Sequence, residues 1–258
     1  MISGNWPKPQ ERTGPSLRLS GSLLRNPFAV LWINEPARLV TENASHEWPV
    51  YRHFIDVYKS DPEFGTWFKI LKKAKDNGRI TSEHAGGTGE LLKRADDEPF
   101  FFGTENLRYF KTCVLFDRDT DDDHYYDGNK NHLFRTLAGK DHTSISENDI
   151  WTLSHHPLTW HMWYKRAIEN YFPDEQYVNA GLNISALDGL THIQRDYALI
   201  GGNKRNPPLV TDYSKSSLPD LLPGLSRQKL ERHLRKFTID GTEMSEMQLF
   251  MLKLVKIL

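Results

Sequence analysis

Cysteine is nearly absent: the 258 residues include one, Cys113. A single thiol excludes a disulfide framework and a cysteine-built zinc site. Long apolar runs are absent too. No stretch approaches the roughly 18 residues of a membrane span, and the first residues lack the apolar core of a secretory signal. A reducing cytoplasm is therefore the expected location. Basic excess is also lacking, with 33 Lys+Arg against 34 Asp+Glu and a net charge of −1. That balance argues against a uniformly basic nucleic-acid binder and leaves room for a local patch. Apolar residues are sparse at 38%, yet aromatics reach 12%. Aromatic side chains bury much area each, so the composition is that of a globular chain. The length allows one large domain, or one with an appendage.

The near-zero sum hides an asymmetry. Asp117-Arg118-Asp119-Thr120-Asp121-Asp122-Asp123 is a dense acidic run, with Asp127 shortly after. From residue 201 to 258 there are ten Lys+Arg against six Asp+Glu. An acidic pole thus precedes a basic C-terminal stretch.

Residues 1–36, rich in proline, glycine and serine, are expected to form an N-terminal arm. A strand is expected over Ala37 to Thr41, ending at Glu42. Helices are expected from Pro49 to Tyr58 and from Glu63 to Ala74, each with apolar residues at helical spacing. A weak strand from Arg79 to Ala85 leads into Gly86-Gly87-Thr88-Gly89 and a short helix. Lys111 to Phe116 is an apolar run suited to a buried parallel strand. Further expectations are a helix over Asn131 to Ala138, a strand over Asp149 to Ser154 and a helix over His161 to Tyr171. Near the end, an amphipathic basic helix is expected over Leu225 to Phe237, and another helix over Ser245 to Leu258. Strands alternating with helices predict an α/β fold with a parallel sheet.

Two acidic positions fall at strand ends, Glu42 after the first strand and Asp117 with Asp119 after the apolar one. Ligands of open parallel sheets bind beyond these ends. In an extended segment, residues two apart point the same way, so Asp117 and Asp119 could face one cation. Carboxylate oxygens suit Mg²⁺ or Mn²⁺. If Glu42 lies on a neighbouring strand, three carboxylates converge, a donor set able to support phosphodiester cleavage.

The order of these pieces is a strand ending in Glu (LVTE), a glycine-rich turn (HAGGTGE) and an apolar strand ending in D-x-D (CVLFDRD). It resembles the TOPRIM domain of topoisomerases, primases and nucleases. The stretch Arg166-Ala167-Ile168-Glu169-Asn170-Tyr171 is similar to one that follows D-x-D in OLD-type (overcoming lysogenization defect) TOPRIM nucleases and related anti-phage effectors. The resemblance covers about Ala37 to Pro173. It implies a TOPRIM-like Rossmannoid sheet over 37–180, followed by a mostly helical extension over 181–258. It further implies a Mg²⁺- or Mn²⁺-dependent endonuclease acting on DNA or RNA, the effector of a defence system. Metal ligands would be Glu42, Asp117, Asp119 and Glu169, with Glu42 also a general-base candidate. Lys165 or Arg166 would face a phosphate, and Gly86 and Gly87 would let backbone pass close. The family has Gly after its Glu and an acid three further on. Here Asn43 follows and the acid is shifted to Glu47, so the resemblance assigns Glu47 no role. No Walker A motif occurs, so an ATPase sensor would be a separate partner; a homodimer is also open. Two rivals stand beside this reading: an RNA-maturation nuclease resembling the small TOPRIM ribonucleases, and a non-catalytic interaction subunit.

Several motifs have plainer explanations. The acidic run fails the calcium-loop spacing, with Asp122 where glycine is needed and Gly128 where glutamate is. His155, His156 and His161 lack an i,i+4 metal pattern and sit among tryptophans, which points to packing. Cys113 lies inside an apolar strand and reads as a small buried hydrophobe. The basic stretch 227–236 is either a solvated or docking face, or a track for a phosphate backbone.

Overall fold

The computed structural model describes residue 25 and residues 33–96, 110–119, 128–139, 158–201, 209–210, 212–239 and 241–258. Outside these lie most of the N-terminal arm, the acidic run from Thr120 to Asp127, the expected strand over Asp149 to Ser154, and His155 and His156.

Four parallel strands form the sheet: β1 (Ala37–Thr41), β2 (Ile80–His84), β3 (Thr112–Phe116) and β4 (Thr159–Met162), in spatial order β2-β1-β3-β4. Burial follows that order. β3 and β4 are almost wholly buried, whereas β2 at the edge exposes Thr81 and His84. The chain runs from β1 through helices α1 (Ala44–Tyr58) and α2 (Gly65–Asp76) to β2 on one side. It then returns through α3 (Thr88–Asp96) to β3 on the other side of β1. The reversal opens a crevice between the carboxyl ends of β1 and β3, the place where such sheets bind ligands. Thr41 pairs with Leu115, so the register sets Glu42 beside the start of the D-x-D segment.

Helices cover both faces, giving the expected α/β sandwich. On one face α4 (Gly128–Ala138) packs on α3 and sets Phe134 edge-on to Trp160, which stacks with Phe116. The opposite face holds α1, α2 and the last helix, α8 (Glu246–Lys256). There Trp163 is sealed by Tyr51, Tyr171 and Phe250. A capping box of Ser245 and Gln248 starts α8, which packs on β4 and α2. The C-terminal residues therefore share one core with the sheet.

Three local expectations require correction. The stretch from His161 to Tyr171 is not a helix: its first part is β4, and only Ile168–Tyr171 forms a single 3-10 turn. Short apolar runs carry no decisive period, and pairing with β3 settles the matter. The expected helix over Leu225 to Phe237 is only α7 (Arg227–Glu231), after α5 (Asp174–Asn179) and α6 (His192–Asp196). It gives way to a hairpin of β5 (Lys236–Ile239) and β6 (Thr242–Ser245). Thr238 and Ile239 before Asp240-Gly241 are the signal for that hairpin. Finally, α1 starts at Ala44, five residues before Pro49. Proline reads from sequence as a first helical residue, but here it sits inside the helix.

Candidate functional site

Five carboxylates gather at the crevice around two ammonium groups. Glu42 follows β1. Glu47 projects from the first turns of α1 and is 3% exposed. Asp117 and Asp119 follow β3, and Glu169 sits on the 3-10 turn after β4, 2% exposed. Lys130, from α4, is 1% exposed. Its Nζ contacts Glu42 Oε1, Asp119 Oδ2 at 2.9 Å and the Asp117 carbonyl at 2.6 Å. Lys215 opens the 3-10 segment Lys215–Leu221. Its Nζ lies 2.9 Å from Asp117 Oδ2 and 3.6 Å from Glu47 Oε1.

The backbone explains how these groups are held. Asp119 has φ +51°, in the left-handed region that costs an ordinary residue energy. Its N–H donates to the carbonyl of Arg166 at 2.9 Å. The segment after β3 therefore does not stay extended. As a result the Asp117 carboxylate faces Lys215 while that of Asp119 faces Lys130, rather than both facing one point. Asp117 also accepts from the Ile168 N–H at 3.2 Å. Gly86 and Gly87, at φ +92° and +108°, turn the chain so that Thr88 Oγ1 donates to Glu42 Oε1 at 2.9 Å. The glycines thus position a donor at the site.

Lys165 and Arg166 are engaged elsewhere. The Lys165 ammonium meets Asp196 Oδ1 at 2.8 Å and the Asn170 carbonyl at 3.1 Å. Arg166 Nη1 donates to the Tyr197 carbonyl at 3.4 Å, and it is its backbone that holds Asp119. His161 is fully buried, packed against Trp163 and Phe250. Burial, with Lys253 nearby, keeps it well below the usual histidine range.

Like charges at close quarters, in a dry setting, disfavour full ionisation. Burial raises Glu47 to about 8, with the Asp117 charge adding and Lys215 opposing. Burial likewise lifts Glu169 to about 7 against the pull of Lys215, and it raises Glu42 despite Lys130. Lys130 is pulled down by burial, but Glu42, Asp119 and Asp117 outweigh that and hold it charged. Lys215 is held charged in the same way by Asp117, Glu169 and Glu47. Glu169 Oε2 is buried and, among the described residues, has no hydrogen-bond partner. Tyr213 lies against the same carboxylate. A Cβ on Gly201 would stand 3.1 Å from the Tyr213 ring and 3.9 Å from Glu169 Oε1, so the glycine permits this packing.

The site is thus anion-rich even after its two lysines are counted. The donors are hard oxygens of the kind a divalent cation takes, and one of them, Glu169 Oε2, is orphaned. Among the described residues, no three acidic, histidine or cysteine side chains close on a single point, because the ammonium groups stand between them.

Lys130, Lys215, Thr88 and Tyr213 belong to this site without a sequence signal. Lys130 lies 88 residues from Glu42, and Lys215 lies 98 residues from Asp117. No local motif joins them. Family models, curated proteins and solved structures offer no match to the chain.

Proposed function

We propose that the chain is a metal-dependent nuclease of TOPRIM type, hydrolysing phosphodiester bonds in DNA or RNA. The single observation that supports the reading is the gathering of Glu42, Asp117, Asp119 and Glu169 around Lys130 and Lys215 at the topological switch point of a parallel sheet. The interaction-subunit alternative has no need for Glu42 and Asp119 to share one ammonium, as they do. From the resemblance alone, the chain would act as the toxic effector of a defence system, restrained by a separate ATPase.

Glu42, Asp117, Asp119 and Glu169 would hold Mg²⁺ or Mn²⁺, which when bound polarises a phosphoryl oxygen and acidifies water. The remaining work falls to the chain. Lys130 and Lys215 place positive charge where a pentacovalent phosphate gathers negative charge. Glu47 and Glu169, raised to about 8 and about 7 by burial, lie in the range where a carboxyl can take or give a proton near neutrality. Thr88 orients Glu42.

The test is cleavage of plasmid DNA and of total RNA with Mg²⁺ or Mn²⁺, comparing the native chain with Glu42→Ala and Asp117→Ala. Cleavage should fall at least about a hundredfold in each variant. Undiminished cleavage by both variants would falsify the site.

A further inference from the structure

A second charged feature lies on the other side of the turn that carries Glu169. A cleft of about 660 Å³ is bounded by Lys165 and Arg195 on one wall and by Lys229, Arg232 and Arg235 on the other. His192 and His233 also line it. Lys229, at the end of α7, and Arg232 and Arg235, beyond it, all fall on the cleft wall.

Three acids share the lining, Asp174, Glu175 and Asp196, so five cations face three carboxylates. Their depths differ. The side chains of Asp174 and Glu175 are 57% and 52% exposed, whereas those of Arg195 and Lys165 are 15% and 8% exposed. The rim pairs Arg195–Asp174 and Lys229–Glu175 are surface ion pairs, worth little and readily exchanged. Arg195 Nη1 is buried and, among the described residues, has no hydrogen-bond partner. The Arg235 guanidinium carbon lies over the Tyr164 ring, 3.9 Å from its centroid. Burial holds His233 below its ordinary value, with Lys165, Arg195 and Arg232 lowering it further and Asp174 opposing them. With five cations against three carboxylates, the lining of the cleft is net positive.

We infer that this cleft binds the phosphates of a polynucleotide strand. The cations come from separate segments and are spread along an open trough, which suits a chain of single negative charges. A focal cradle for one polyphosphate would need converging backbone N–H groups, and among the described residues no glycine-rich loop lines the cleft. The turn Ile168–Tyr171 places Glu169 in the carboxylate site, while its Asn170 lines the cleft. A strand lying in the trough is thereby brought next to the acidic site. This inference rests on the nuclease reading, and it names the surface that holds the substrate.

The experiment is fluorescence anisotropy of a labelled oligonucleotide of about 20 nucleotides, as DNA and as RNA, with the full chain in chelator. The native chain is compared with the double variant Arg232→Glu, Lys229→Gln. A control, Lys69→Glu with Lys73→Gln on the exposed side of α2, makes the same change in net charge. Thermal melting confirms that each variant is folded. Binding should weaken about tenfold or more in the cleft variant, and its salt slope should fall by about 1.4 for two lost contacts. The control should bind as the native chain does. Equal affinity for the cleft variant and the native chain overturns the inference, as does displacement of the strand by equimolar nucleoside triphosphate. Because binding is read without metal, the two readings separate. Retained binding without cleavage counts against the nuclease, whereas cleavage with unchanged binding in the cleft variant counts against the cleft.

Discussion

Lys130→Met is the sharpest perturbation of the carboxylate site, because it removes a buried positive charge and nearly preserves volume. The ammonium touches Glu42, Asp119 at 2.9 Å and the Asp117 carbonyl at 2.6 Å. At that separation and an effective dielectric of about 20, one pair is worth about 6 kcal/mol of attraction before desolvation. Desolvation offsets most of this in the native protein. Deleting one partner instead leaves the other buried and uncompensated, at about 3–5 kcal/mol. Asp119 is 42% exposed and remains hydrated, so the lower end of that range, about 3 kcal/mol, is expected. Without the ammonium, Glu42 rises further above its unfolded value. The penalty therefore applies above the folded pKa and fades as pH falls through it, because protonation removes the charge. A divalent cation can also replace the lost charge. Mn²⁺ at about a hundred times its Kd should return about 2.7 kcal/mol. The assay is urea denaturation near neutral pH, at mildly acidic pH, and with Mn²⁺. A variant within about 0.5 kcal/mol of the native protein, and indifferent to both acid and Mn²⁺, refutes the electrostatic account.

Three further outcomes are expected. Glu246 accepts from the Tyr164 N–H at 2.7 Å and the Tyr171 hydroxyl at 2.5 Å, and burial raises it to about 7. The folded state keeps a proton that the unfolded chain releases, so stability should decline between about pH 4.5 and 7, by up to about 1.4 kcal/mol per pH unit. Glu246→Gln should flatten that decline in urea titrations, and identical slopes would refute the assignment. Gly87→Ala forces a side chain to φ +108° with open space around it, so its cost is conformational, about 1–2 kcal/mol. Gly89→Ala, on α3 and equally uncrowded, should be neutral or stabilising by up to about 1 kcal/mol, and thermal melting separates the two. Trp163→Ala removes a ring that is 0% exposed, with the ring centroids of Tyr171 and Phe250 about 5 Å away. It should lose about 3–5 kcal/mol by denaturant unfolding.

The strands that were easiest to read were those with the strongest chemical reason to be strands. Lys111 to Phe116 is apolar because β3 is buried on both faces, and its run ends where charge begins. Glu42 and the D-x-D pair were legible because they end strands. The sequence does not declare β4, because Trp160 to Trp163 serves both faces of the sheet and leaves neither a period of two nor one of 3.6. The hairpin of β5 and β6 has its signal in Asp240-Gly241, just beyond the amphipathic stretch that predicts a helix. Glu169 was visible only through the resemblance of its neighbours, while Glu47 departed from the expected spacing and yet lies at the centre of the site.

The amino-acid sequence by itself determined which apolar runs would enter the core, where the acidic pole lies and that the basic surplus follows it. These properties depend on neighbours a few residues apart. Only the tertiary structure decided that Lys130 and Lys215 reach the carboxylates, that Lys165 and Arg166 turn to other partners, and that the basic segment folds into a cleft wall. Those outcomes come from contacts 88 and 98 residues apart in the chain. Buried carboxylates attract whichever ammonium the packing brings near, and no local pattern records which one that will be.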